Sequence, residues 1–288
     1  MDKQAFMSPL SGSLVENKLS VRDYLVSGQT FDLYYDQQWD MYLTHPVPAD
    51  LSVYYWSEKY QPHQHKKPTF FNRLYGLIRL FNLRHKYQLI HTFHPNAHSV
   101  LDFGTATGEF LTYLSRKGFN VAGVEPNLLA RQSAEPVLQN RIKASIEEIK
   151  GQYDVITLWH VLEHVPQPME LLRTLNQYLT PNGIIMVAVP NFKSYDAQFY
   201  GPYWAAWDVP RHLWHFSPNA LKSLFRTAGY HFITDKALFF DSFYVSLLSE
   251  AYKTGHKNYL KAFYRGYLSN KKARKSGQYS SLIYIFKR

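Results

Sequence analysis

Three groups of residues have types and spacings that could do chemistry. The first is Asp102 with Gly104 and Gly108, followed by Glu125 in the stretch VAGVEPN. Glycines after a short apolar run suit a tight strand-to-helix turn, where backbone must approach a ligand closely. The dinucleotide pattern G-x-G-x-x-G is not met, because Ala106 and Glu109 stand where it requires glycine. A carboxylate at the end of the next strand, here Glu125, has two oxygens that can accept both hydroxyls of a ribose. The second group is His160, Glu163 and His164. H-x-x-E-H also spells a zinc protease signature. That chemistry needs a sustained helix with both histidines on one face, and Pro166 and Pro168 follow almost at once. A local scaffolding role suits Glu163, and a place beside a substrate pocket suits His164. The third group is YWAAWDVPRHLWHFS, residues 203–217. Arg211 there can hold an anionic substrate group, and His212 can act as a general base near neutral pH. The competing reading is a loop fastened by an Asp208–Arg211 pair and plugged by its tryptophans. Tyr195 and Tyr200 lie close enough in sequence to face the same substrate.

The elements that must position these groups follow a strand, turn, helix rhythm from residue 98 onward. Strands are expected at Val100–Phe103, Asn120–Val124, Arg141–Lys143, Tyr153–Leu158, Ile184–Val189, 231–240 and Ser281–Phe286. Helices are expected at Glu109–Lys117, from Leu128, at Pro168–Leu179 and at Pro218–Ala228, with a turn at Thr180–Gly183. Such alternation predicts a parallel sheet covered on both faces, with ligands bound at the carboxyl ends of its strands. Upstream, residues 69–93 read as a helix with Phe70, Phe71, Leu74, Leu77, Ile78, Phe81, Leu89 and Ile90 on its apolar face. Arg73, Arg79, Arg84 and Lys86 decorate its cationic face. The first 65 residues are rich in Tyr, Trp and Asp, with short strands at Thr30–Tyr35 and Met41–Leu43.

Composition narrows the classes. The 288 residues are 45% hydrophobic and 17% aromatic, enough for a packed core and contrary to disorder. With no cysteine, disulfides, thiolate metal sites and cysteine nucleophiles are excluded, which suits a cytoplasmic protein. No apolar stretch is long enough to span a bilayer, and the first residues have no signal-peptide run. The net charge is +10, concentrated in residues 237–288, which hold 10 basic and 2 acidic side chains. Basic patches attract polyanions, and Tyr259, Phe263, Tyr264 and Tyr267 lie among Lys257, Lys261 and Arg265. At helical spacing those aromatics read as core.

The loop Asp102-Phe103-Gly104-Thr105-Ala106-Thr107-Gly108, Glu125 on the next strand, and YDVITLWHVLEHVPQPMELLRTLNQYLTPNG together resemble class I S-adenosylmethionine-dependent methyltransferases. The similar subgroup has Leu-Glu-His after its fourth strand and includes the ubiquinone-pathway O-methyltransferases. The resemblance implies an α/β fold, Rossmann-like and doubly wound, with a mostly parallel seven-stranded sheet and an N-terminal extension. It divides the chain into an aromatic-rich extension or lid (1–66), a basic amphipathic helix (67–97) and a methyltransferase domain (98–288). That domain would comprise a cofactor core (98–236) and a basic helical insertion with the last strand (237–288). It implies S-adenosylmethionine as cofactor, with Asp102, Gly104, Thr105, Ala106, Thr107 and Gly108 facing its methionine part. Glu125, followed by Pro126, would bind the ribose, Ser145 and Ile146 would lie along the adenine, and Trp159 and His160 would line the pocket. Ala106 departs from the family's middle glycine. The segment DVPRHL resembles a pattern of the same subgroup, and His212, His164 and Arg211 are the expected catalytic residues. Some relatives carry Glu where His160 stands and bind a divalent metal; with histidine there, no metal is expected. Residues 13–62 resemble a zinc-ribbon region that has lost its cysteines, in which Tyr54, Tyr55 and Tyr60 would cover the pocket, while His63 and His65 alone make a poor metal site. The expected reaction is methyl transfer to a small-molecule or lipid-linked acceptor, with oxygen as the favoured atom. The alternatives are action on RNA or another polyanion through the basic C-terminal region, and a non-catalytic binding module without cofactor.

Overall fold

The computed structural model describes residues 6–55 and 70–288, with side chains of the first helix described from residue 76. Tyr60, His63 and His65, and the side chains of Phe70, Phe71, Arg73 and Leu74, lie outside the described residues. Two sheets organise the rest. The N-terminal one is antiparallel, built from β1 (Phe6–Met7), β2 (Leu14–Arg22), β3 (Thr30–Asp36) and β4 (Met41–His45). Its fifth strand, β10 (Trp214–Phe216), comes from the loop after the fifth parallel strand, with Trp214 opposite Leu43 and Phe216 opposite Met41.

Helix α1 (Phe70–Phe93) leads into the second sheet. That sheet contains β5 (Ser99–Phe103), β6 (Asn120–Val124), β7 (Ile142–Lys143), β8 (Tyr153–Trp159), β9 (Leu179–Pro190), β11 (His231–Ala237) and β12 (Ser281–Lys287). Their order is β11-β12-β9-β8-β5-β6-β7, and β12 runs antiparallel to both neighbours. This is the mostly parallel, seven-stranded α/β sheet expected from the sequence. The strand order reverses beside β5, so the loops after β5 and β8 open into one crevice. Central strands are buried on both faces: Val155, Ile156, Leu158, Ile185, Met186 and Val187 have no exposed surface.

The covering helices are α2 (Glu109–Ser115), α3 (Leu128–Gln132), α4 (Pro168–Gln177), α5 (Tyr195–Tyr200), α6 (Pro218–Thr227), α7 (Asp241–Thr254) and α8 (Tyr259–Ser276). Pro168 and Pro218 sit in the first helical turn, where a missing N–H costs nothing.

Four expectations change. Residues 180–183 belong to the start of β9 rather than a free turn, because Tyr153 on β8 pairs with Leu179. Strand β2 was not anticipated, since charged and polar residues interrupt its alternation. Among the described side chains of α1, Leu89 and Ile90 are buried, whereas Leu77 is exposed and the half-exposed Phe81 meets Phe240 edge-on. Tyr259, Phe263, Tyr264 and Tyr267 are exposed rather than core, because α8 packs through its small residues Ala262, Gly266, Ser269 and Ala273.

Candidate functional site

The glycine loop between β5 and α2 opens the site. Gly104 and Gly108 have φ of 77° and 73°, conformations open to glycine. A Cβ on Gly104 would also collide with the Val161 side chain, so the loop lies directly on the segment after β8. Ala106 adopts φ 49°, which explains why the family has glycine there and shows that alanine is accommodated under some strain. Its N–H donates to Glu125 Oε2 at 2.9 Å, while the Asn127 N–H donates to Glu125 Oε1 at 2.8 Å. Both oxygens of Glu125 are thus held in place with lone pairs left over. Pro126 is exposed beside it.

Asp102 is buried at the end of β5 and accepts from the Thr157 hydroxyl on β8. Burial pushes its carboxyl up to about 6, against the opposing hydrogen bond from Thr157 and the charge of Lys86. Beside it the Thr105 hydroxyl also bears on the Asp102 carboxylate, and Trp159 Nε1 is buried with no protein partner. A polar ligand in the crevice would satisfy the indole N–H. Ser145 is occupied in a capping box with Glu148, and Ile146 is buried in the core. The structure therefore brings Asp102, Thr105, Glu125 and Trp159 to one crevice, while Ile146 faces inward beneath it.

Sequence reasoning missed two charged groups there. Lys86 Nζ sits 4.2 Å from the Trp159 ring centroid and 5.6 Å from that of Phe110. Burial lowers its pKa, opposed by the charges of Asp102, Asp241 and Glu109. Asp241, the first residue of α7, places Oδ2 3.1 Å from His160 Nε2. His160 has φ 55° and also places Nδ1 3.4 Å from Glu163 Oε1. Burial opposes charge on His160, but hydrogen bonds to Asp241 and Glu163 outweigh it and push the pKa up to about 10. No sequence signal marks either partner, because both come from segments that read as ordinary helix.

Beyond His160 the chain makes one 3-10 turn, Leu162–His164, rather than a long helix. The carboxylate of Glu163 is 1% exposed, and its Oε1 faces His160 Nδ1 across 3.4 Å. Burial would raise its pKa; the hydrogen bond from His160 and the nearby His212 and His164 hold it below the usual value. His164 Nδ1 lies 2.9 Å from the Arg211 carbonyl and 3.1 Å from the Tyr55 hydroxyl. His212 Nδ1 lies 2.9 Å from the Ala206 carbonyl. A carbonyl only accepts, so each Nδ1 carries the proton and each Nε2 is left as an acceptor. One ligand-capable atom each of Glu163, His164 and His212 lies within 4.8 Å of the other two. The carboxylate and the two imidazoles thus face one another closely, with Asp208 Oδ2 3.9 Å from His212 Nε2, a place for an acceptor hydroxyl or another electropositive group. Burial and the neighbouring His164 drive His212 well below 6.5, so its ring is neutral at pH 7.

Arg211 belongs to a different structure. It is 1% exposed, with Nη2 3.0 Å from Asp23 Oδ1 and 2.7 Å from Asp208 Oδ1, and Nε 3.0 Å from Asp208 Oδ1. The guanidinium is enclosed by two carboxylates and is not presented to a substrate, which corrects the catalytic expectation. Tyr200 is likewise buried against Glu250, and Tyr195 lies beneath Lys272, so neither faces the crevice. Tyr54 is buried and donates to Gln29, while the Tyr55 hydroxyl reaches His164. The 203–217 segment is zipped to the site by Leu213 N to Glu163 O (2.8 Å), Trp214 Nε1 to Val165 O (2.7 Å) and Thr44 N to Leu213 O (3.0 Å).

Comparison with known proteins gives the same frame. Residues 76–234 match the family model described as a methyltransferase domain. The ubiquinone biosynthesis O-methyltransferase of Pseudomonas aeruginosa (strain UCBPP-PA14) is 32% identical over 102 residues, covering 32% of this chain and 44% of that protein. The protein of the same name from Rickettsia bellii (strain OSU 85-389) is 31% identical over 100 residues, covering 32% and 42%. The chain thus spans less than half the length of these curated relatives. The crystal structure of magnesium protoporphyrin IX methyltransferase from Synechocystis PCC 6803, with bound SAH, aligns at a TM-score of 0.50 and 11% identity over 78% of this chain and 90% of that one. That likeness concerns the fold.

Proposed function

The chain belongs to the methyltransferase-domain family, and from that premise we propose that it transfers a methyl group from S-adenosylmethionine to an oxygen of a small or lipid-linked acceptor. The observation that carries this reading is Glu125, whose two oxygens are held by the amides of Ala106 and Asn127 beside the glycine loop. That geometry suits a ribose diol. Trp159 Nε1, buried without a partner, supplies a further contact in the same crevice. Lys86, the cation over Trp159, is placed to pair with the cofactor's carboxylate. The cofactor supplies a methyl on a positive sulfur, already a good leaving group, so the protein's main task is alignment. His212 Nε2 receives the acceptor's proton, and the buried Glu163 carboxylate stabilises the imidazolium that forms. Oxygen as the target follows the names of the two curated relatives.

The test is calorimetric titration with S-adenosylmethionine and its demethylated product, for the intact protein and for Glu125→Ala and Asp102→Ala. Micromolar binding lost in both variants is the expected result. A folded, unmodified protein that binds neither ligand would remove the reading.

A further inference from the structure

We propose that α8 is a docking surface for an anionic lipid bilayer. The helix is built inside out for a solvated element. Its packed face is the small-residue line Ala262, Gly266, Ser269 and Ala273. Gly266 lies so close to α7 that a Cβ would come within 2.7 Å of Phe243 Cδ1 and 2.9 Å of its Cα. The opposite face carries the large apolar side chains: Leu260 is 87% exposed, Phe263 64%, Tyr264 55% and Tyr267 50%. These positions fall on one stripe at helical spacing. Farther along the same stripe come Lys271 and Arg274, both exposed and without an ion pair among the described residues. From Ala251 to Arg288 the chain holds no acidic side chain. The face is therefore apolar at one end, cationic at the other and free of repelling charge.

That pattern matches an interfacial helix, which sinks Leu and aromatic side chains into the boundary of headgroup and acyl chain while cations meet anionic lipid. Three further cations of the helix turn inward: Lys261 pairs with Glu250 at 3.1 Å, Arg265 stacks 3.8 Å over Phe199 and Lys272 3.7 Å over Tyr195. They pin the helix and leave its outer stripe as the contact. Single-stranded RNA is the weaker fit, because Leu260, the most exposed of the four, offers a base no stacking face. The inference stands apart from the choice of acceptor.

The test is vesicle flotation of the full chain, with phosphatidylcholine vesicles alone and doped with phosphatidylglycerol. The protein should float with the doped vesicles and not with the neutral ones. Each of Lys271→Gln and Arg274→Gln should weaken binding about fivefold, and Phe263→Ser/Tyr264→Ser/Tyr267→Ser should abolish it. A melting curve and S-adenosylmethionine titration, both unchanged, show that the variants fold. Three results would overturn the proposal: no flotation with anionic vesicles, flotation unaffected by either set of changes, or a face used by something else. The last would appear as RNA retention, or as a dimer in sedimentation, lost in the same variants without any vesicle binding.

Discussion

Replacing Arg211 by methionine separates a structural cation from a substrate-binding one. The side chain is 1% exposed and bonded to Asp23, which is fully buried, and to Asp208. Its removal strands a buried carboxylate, a loss of about 3–5 kcal/mol. For a chain of this size that lowers the melting temperature by roughly 6–15 °C. The pH dependence sharpens the prediction. Burial works against ionised Asp23, but the Ser27 amide and the Arg211 guanidinium outweigh it and hold the carboxyl below its ordinary value. A depressed carboxylate stabilises the fold above its unfolded pKa of about 4, and that contribution vanishes as pH falls through the folded value. The stability gap between wild type and Arg211→Met is therefore widest at neutral pH and narrows below about pH 4. Thermal melts across this range, with KM for a working acceptor, decide the matter. Arg211→Met with wild-type stability at pH 7 and a raised KM would refute the structural assignment.

Other outcomes follow from the same geometry. Ala106→Gly relieves a left-handed alanine and should raise stability by up to about 1 kcal/mol in denaturant titrations, with cofactor affinity kept or improved. His212→Gln should cut kcat by about 10²–10⁴-fold, leaving the dissociation constant for S-adenosylmethionine unchanged in calorimetry. Lys86→Met should weaken cofactor binding about tenfold or more, with the loss seen equally for the demethylated product, since both carry the carboxylate. His160 has a folded pKa raised to about 10, so its contribution is complete below the unfolded value and fades as pH rises toward 10. Asp241→Asn should move that fading to lower pH in alkaline melts.

The parallel sheet was legible because its strands are long apolar runs alternating with helices, and because glycine, acid and turn residues mark its loops. The position of Glu125 was legible for the same reason: it depends on the end of one strand and the loop beside it. The histidine and carboxylate cluster was only partly so. His164 and His212 stand out as residue types, but their tautomers depend on carbonyls of Arg211 and Ala206 that only the folded loop supplies. For Arg211 the sequence left a substrate role and a pair with Asp208 both open; the pair forms, and Asp23, the second carboxylate that encloses it, lies 188 residues away. The exposed aromatics of α8 misled because spacing reveals a face without saying which way it turns. The small residues Ala262, Gly266, Ser269 and Ala273 decide that.

Strand β10 ties Trp214–Phe216 to Met41–Leu43 across most of the chain. During synthesis, β1 to β4 emerge early and wait for a partner made only after five parallel strands have been laid down. The site loop in turn takes its shape from that late pairing. The match to the family model, residues 76–234, contains β10 but leaves out the sheet that β10 joins. A fragment cut at residue 76 would keep the glycine loop and Glu125 while losing Tyr55, Thr44 and the edge on which β10 sits, so His164 would lose its Tyr55 contact and the loop its sheet edge.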